Sequence, residues 1–168
     1  ALDWAQTINP EARACWVAGF SFGAWIGMQL LMRRPEVEGF ISIAPPANLY
    51  DFSFLAPCPS SGLIIHGDQD RVAPPKDVQG LVDKLKAQKG ITITQKTLTG
   101  ANHFFTGMGD ELIGECTDYL DRRLNGELVE HRPKRDRRHL IFVESPPCSS
   151  SPTSPFASQA VCCSTMQT

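Results

Sequence analysis

The chain is expected to fold as an α/β domain, a parallel sheet flanked by helices. Three observations predict it. Short apolar runs of strand length alternate with segments of helical spacing, the pattern of βαβ units. Gly and Pro punctuate the junctions. One junction, Gly19-Phe20-Ser21-Phe22-Gly23, places a G-x-S-x-G sequence between an apolar run and a helix. The 168 residues suffice for one domain with a sizeable core. At 42% hydrophobic, 20% charged and net charge -2, the composition is that of an ordinary globular protein. It lacks the basic excess expected of a nucleic-acid binder and any apolar run long enough to span a bilayer.

In chain order, Leu2 to Ile8 reads as a helix, broken by Asn9-Pro10-Glu11. Cys15 to Ala18 is the first strand. A helix follows from Phe22 to about Arg34, stopped by Pro35. The second strand is Phe40 to Ala44, closed by Pro45-Pro46, and the third is Gly62 to His66. Between them, Asn48 to Ser61 is a loop whose Tyr50, Phe52 and Phe54 either line a pocket or pack on the sheet. Pro75 suits the first turn of a helix spanning about Lys76 to Gln88, and Gly90 ends that segment. The fourth strand, Ile91 to Leu98, alternates apolar and polar residues, so it is expected at an edge with one face wet. After a loop over Thr99 to Gly109, the last helix runs Asp110 to Leu124, with Leu112, Cys116, Tyr119 and Leu120 at helical spacing.

The two ends depart from this pattern. The chain begins at Ala1 without Met, and residues 1–8 lack the charged and apolar regions of a signal peptide. They read as an amphipathic helix entered midway, so the chain is expected to be the later portion of a longer domain. Residues 1–126 form that portion. Residues 127–168 are first charged and then rich in Ser, Pro and Cys, and are expected to be a disordered extension. A tail that binds an acidic partner and translation past the natural end of the domain are the other accounts. The six Cys form no C-x-x-C pair, so neither a zinc site nor a redox motif is expected. Unpaired thiols in a reducing cytoplasm are the expected state.

Reactive groups on a parallel sheet gather at the carboxyl ends of its strands. Ser21 stands after the first. A serine hydroxyl is a poor nucleophile and needs a base, and the base needs a partner that orients it. Small residues at Gly19 and Gly23 are expected because a β-carbon at either would crowd so sharp a turn. After the third strand come Asp68 and Asp70. Asp70, further into the loop, is favoured as the orienting acid, and Asp68 is expected to tie down the turn through backbone N–H groups. After the fourth strand comes His103, the candidate base. His66 lies within an apolar run and is expected to be a buried, hydrogen-bonded structural residue. His131 and His139 fall in the tail and carry no expected role.

The segments Gly-Phe-Ser-Phe-Gly (19–23), His-Gly-Asp-Gln-Asp-Arg-Val-Ala-Pro (66–74) and Gly-Ala-Asn-His-Phe-Phe (100–105) together resemble an α/β-hydrolase, close to the small bacterial dienelactone-hydrolase-like group. The resemblance covers roughly residues 1–126. It implies Ser21 as nucleophile, Asp70 as acid and His103 as base, in the chain order of that fold. Dienelactone hydrolase itself uses a cysteine. A serine here points to hydrolysis of a small carboxylic ester or related acyl substrate through an acyl-enzyme, with thioesterase, peptidase and acyltransferase chemistry left open. One oxyanion donor is implied at the backbone N–H of Phe22, and the other in a loop upstream of Ala1. The short connection from Pro45 to Ser61 leaves no room for a helical lid. No cofactor, nucleic acid or membrane is expected as a partner. The alternatives are a non-catalytic fragment or interaction module and, more remotely, a nucleotide-binding sheet, which lacks G-x-G-x-x-G and a P-loop lysine.

Overall fold

A computed structural model describes residues 2–12 and 14–128. The elements are helix α1 (Leu2–Ile8), strand β1 (Trp16–Phe20), helix α2 (Phe22–Arg33), strand β2 (Gly39–Ile43), a single 3-10 turn (Ser53–Leu55), strand β3 (Gly62–Gly67), helix α3 (Pro75–Lys86), strand β4 (Ile93–Leu98) and helix α4 (Gly109–Leu124). The strands form a parallel sheet in the order β1-β2-β3-β4, so the α/β class read from the sequence holds. The tail expected over 127–168, with His131 and His139, lies outside the described residues except for Glu127 and Leu128.

Element boundaries shift by one or two residues from expectation, and three of the shifts bear on the site or have a visible cause. β1 runs through Gly19 and Phe20, which pair with Ser42 and Ile43, so the strand delivers the chain directly to Ser21. β2 ends at Ile43 because Ala44 turns away with a positive φ of 46°. β4 starts at Ile93, two residues late, because the N–H of Thr92 is taken by the Ser61 hydroxyl at 2.8 Å.

Two apolar layers sandwich the sheet. On one face Met28 and Leu31 of α2 and Val78, Val82 and Leu85 of α3 close over Phe40, Ile64 and Ile93. On the other, Tyr119 and Leu120 of α4 meet Ile41, Leu63, Ile65 and Leu98. Each such side chain withdrawn from water contributes about 2 kcal/mol. α1 is joined to this body by Arg34, which bridges Asp3 and Glu36. At the edges, β4 keeps Thr97 exposed and β1 exposes Ala18 and Phe20. The loops after β1, β3 and β4 all leave the same end of the sheet.

His66 occupies β3 as a buried residue. Its Nε2 lies 3.0 Å from Thr97 Oγ1 and 3.2 Å from Gln95 Nε2, and Gln95 in turn donates to Gln79 Oε1 at 2.7 Å. Burial pushes the imidazole below the usual histidine range, against the opposing pull of Asp70 and Asp68. The folded chain therefore binds a proton at His66 less readily than the unfolded chain does. The stability contribution is complete above the unfolded value of about 6.5 and erodes as pH falls below it. Thermal melts at pH 7.5 and 5.5 should show a smaller acid-side drop for His66→Gln than for the unaltered protein. Equal drops would remove His66 from the acid sensitivity.

Candidate active site

The site starts with a reversal of the backbone. Ser21 sits at φ 51° and ψ -119°, a region that residues with a β-carbon rarely occupy and that costs on the order of 1–3 kcal/mol. Two backbone hydrogen bonds hold it. The Ser21 N–H donates to Ile43 O at 2.8 Å, and its carbonyl accepts from Ala24 N at 2.9 Å. At Gly19 an added β-carbon would lie 2.3 Å from the Gly23 carbonyl oxygen, so the first turn of α2 rests directly on the end of β1. The expectation for Gly23 is corrected: a β-carbon there meets nothing within 4 Å among the described residues. The crowding is one-sided because Gly19 points under the helix, whereas Gly23 faces away from the strand.

Ser21 precedes α2, yet its hydroxyl makes no capping bond to the helix. Instead Ser21 Oγ lies 2.9 Å from His103 Nε2. His103 Nδ1 lies 2.7 Å from Asp70 Oδ2. His103 and Asp70 are both buried. The second Asp70 oxygen accepts from the N–H groups of Val72 and Ala73, each at 2.8 Å, so the carboxylate is fixed from three sides. The structure thus brings Ser21, Asp70 and His103 into one hydrogen-bonded line. Asp68 stands apart from it. Its Oδ1 accepts from the Gly100 N–H at 2.6 Å, stitching the loop after β3 to the loop after β4. Gln69 N donating to Ala101 O at 3.1 Å adds a second stitch. Gly67 permits the approach, since a β-carbon there would lie 2.2 Å from the Ala101 carbonyl oxygen.

The loop bearing His103 is organised by its neighbour. Asn102 Oδ1 accepts from the N–H groups of Phe104 and Thr106, at 3.0 and 3.2 Å. Phe20 and Phe104 flank the imidazole with ring centroids 5.2 and 5.3 Å away. The N–H of Phe22, at the first position of α2, belongs to the donors that a helix leaves without an internal partner. Of the three loop aromatics, Phe52 and Phe54 belong to the core, and only Tyr50 reaches the site. It lies tilted against Phe22, singled out in the sequence for its N–H and not for its ring, and stacks on Trp25, which the sequence reading passed over. Their i, i+3 spacing on α2 was the available signal that they share a face. Among the described residues there is no group of three or more His, Cys, Asp or Glu able to hold a metal ion. No described helix is long and apolar enough to cross a membrane.

No model of a known protein family matches the chain. An uncharacterized protein of Rickettsia prowazekii is 50% identical over 124 residues, 71% of this chain and 52% of that protein. Among solved structures, a protein of unknown function from Agrobacterium tumefaciens, a candidate alpha/beta hydrolase, shares 76% identity at a TM-score of 0.73, over 76% of this chain and 58% of that one. A lidless serine hydrolase from Xanthomonas campestris shares 31% identity at a TM-score of 0.63, over 72% and 52%. The chain spans about half the length of these relatives.

The one-sided contact at the turn sets an order of damage. Gly19→Ala should destabilise the fold by about 3 kcal/mol, the upper range for forced overpacking, while Gly23→Ala should cost well under half of that. Urea midpoints of the two variants decide it, and equal losses would mean that the turn is not built on the Gly19 contact.

Proposed function

The chain belongs to the α/β-hydrolase superfamily, and from that premise we propose that it is a serine hydrolase acting on a small carboxylic ester or related acyl substrate through an acyl-enzyme. One observation carries this reading: the line from Ser21 Oγ to His103 Nε2 at 2.9 Å and from His103 Nδ1 to Asp70 Oδ2 at 2.7 Å. In the proposed reaction His103 removes the Ser21 proton as Oγ attacks the carbonyl carbon, then returns it to the departing alcohol. Asp70 keeps the imidazole in the tautomer whose Nε2 can accept. The N–H of Phe22 donates to the oxyanion of the tetrahedral intermediate. Water, activated by the same His103, releases the acid and restores Ser21.

Competing nucleophiles are weak. Burial pushes the Cys15 and Cys116 thiols up, which keeps them protonated and unreactive. Neither has a disulfide partner among the described residues. The serine nucleophile and the three motifs together favour the dienelactone-hydrolase-like group, with ester rather than dienelactone chemistry.

A non-catalytic interaction module is the second reading. A fluorophosphonate probe separates the two. Under the hydrolase reading the folded chain is labelled, and Ser21→Ala abolishes the label. A folded chain that stays unlabelled supports the module. The carboxylates are separated by kinetics. Asp70→Asn should lower kcat by about 10⁴-fold through loss of the productive tautomer, whereas Asp68→Asn, acting only on loop stitching, should stay within about tenfold.

A further inference from the structure

The aromatic rings around Ser21 sort into two groups. Phe20 and Phe104 pack against His103. Phe22, Trp25 and Tyr50 pack on one another, with centroids 5.2 to 5.8 Å apart. The Trp25 indole is anchored by donating to Asp51 O at 2.9 Å. Core packing does not account for this second cluster, because Phe22 and Tyr50 remain 50% and 36% exposed. It forms a firm apolar surface that begins at the residue next to the nucleophile.

Tyr50 also borders a cavity of about 520 Å³ between the 47–56 connection and α3. That volume lies within the range of small-molecule sites. Its apolar lining includes Phe52, Leu55, Leu81 and Leu85. Gly80 lines it from the middle of α3, where glycine costs the helix about 1 kcal/mol relative to alanine. Among the described residues, a β-carbon at Gly80 meets nothing within 4 Å. The glycine therefore keeps the cavity open. The charged lining residues balance, Lys76 and Lys84 against Asp51 and Asp77, and Asp51 is already engaged by the Ser53 N–H and hydroxyl. Such a lining favours an uncharged occupant.

We propose that this cavity is an acyl-chain site, reached from Ser21 across Phe22 and Tyr50, that selects esters of medium-length, uncharged, apolar acids. The assignment rests on Ser21 being the nucleophile. The leaving alcohol belongs beside His103, which must protonate it, and so beside Phe20 and Phe104. The acyl substituent is then directed to the other aromatic group and the cavity beyond it.

The test compares p-nitrophenyl octanoate with p-nitrophenyl acetate, whose leaving groups are identical, so that the ratio of their kcat/KM values reports the acyl side alone. The unaltered chain should prefer octanoate. Gly80→Leu puts apolar bulk at the cavity wall, starting from a β-carbon position that meets no described neighbour, and should lower the octanoate-to-acetate ratio about tenfold or more, since each methylene denied an apolar site costs severalfold. Tyr50→Ala should lower the same ratio by removing the bridge between Ser21 and the cavity. Ratios within about twofold of the unaltered protein in both variants would overturn the acyl-chain site while leaving the hydrolase reading intact. Acetate turnover that survives Ser21→Ala, or no turnover of either ester, would instead overturn the hydrolase reading and this site with it.

Discussion

The site hangs from a single backbone contact, the resting of the first turn of α2 on the end of β1 at Gly19. With 2.3 Å between the position of a Gly19 β-carbon and the Gly23 carbonyl, helix and strand are closer than any side chain allows. That proximity forces the chain to reverse within one residue, and the residue is Ser21, held at φ 51°. A reversal so tight cannot also let the side chain cap the helix behind it. The hydroxyl projects from the sheet end instead, and the strain in the turn becomes the exposure of the nucleophile.

The same economy governs the other two loops. His103 and Asp70 are 33 residues apart in sequence, and their alignment depends on how the loops after β3 and β4 meet. Asp68 and Gln69 fasten one loop to the other at Gly100 and Ala101, while Asp70 uses its second oxygen to brace its own loop at Val72 and Ala73. The two carboxylates are therefore not redundant. One sets the distance between loops, and the other aims the imidazole. The bond from Asn48 Nδ2 to Val72 O at 3.0 Å extends the brace to the connection after β2.

Much of this was legible in the sequence because it is local. The strand, turn and helix around Ser21 announce themselves by spacing, and the position of Asp70 two residues beyond Asp68 separates their reach. What escaped the sequence was non-local. Nothing in the linear order shows that Tyr50 lies on Phe22, 28 positions earlier, or that Gln95 links His66 on β3 to Gln79 on α3. Gly23 was misread for a related reason. Its place in the motif suggested crowding, but crowding depends on which way a missing β-carbon would point, and only Gly19 points into the contact. The late start of β4 was hidden because a side chain across the sheet, Ser61, intercepts the backbone of Thr92.

In the proposed reaction, Phe22 ties chemistry to selectivity. Its N–H would meet the oxyanion, and its ring opens the apolar surface that continues through Tyr50. A backbone change at Phe22 would move that N–H, because Phe22 is the first residue of α2 and directly follows the strained turn at Ser21. Positions on other elements carry no such cost. Gly80 is such a position. It lies on α3, outside the loops that carry Ser21, Asp70 and His103, and lines the cavity with no described neighbour within 4 Å of its β-carbon position. A substitution there changes how much chain the site accepts without touching the geometry that cleaves it.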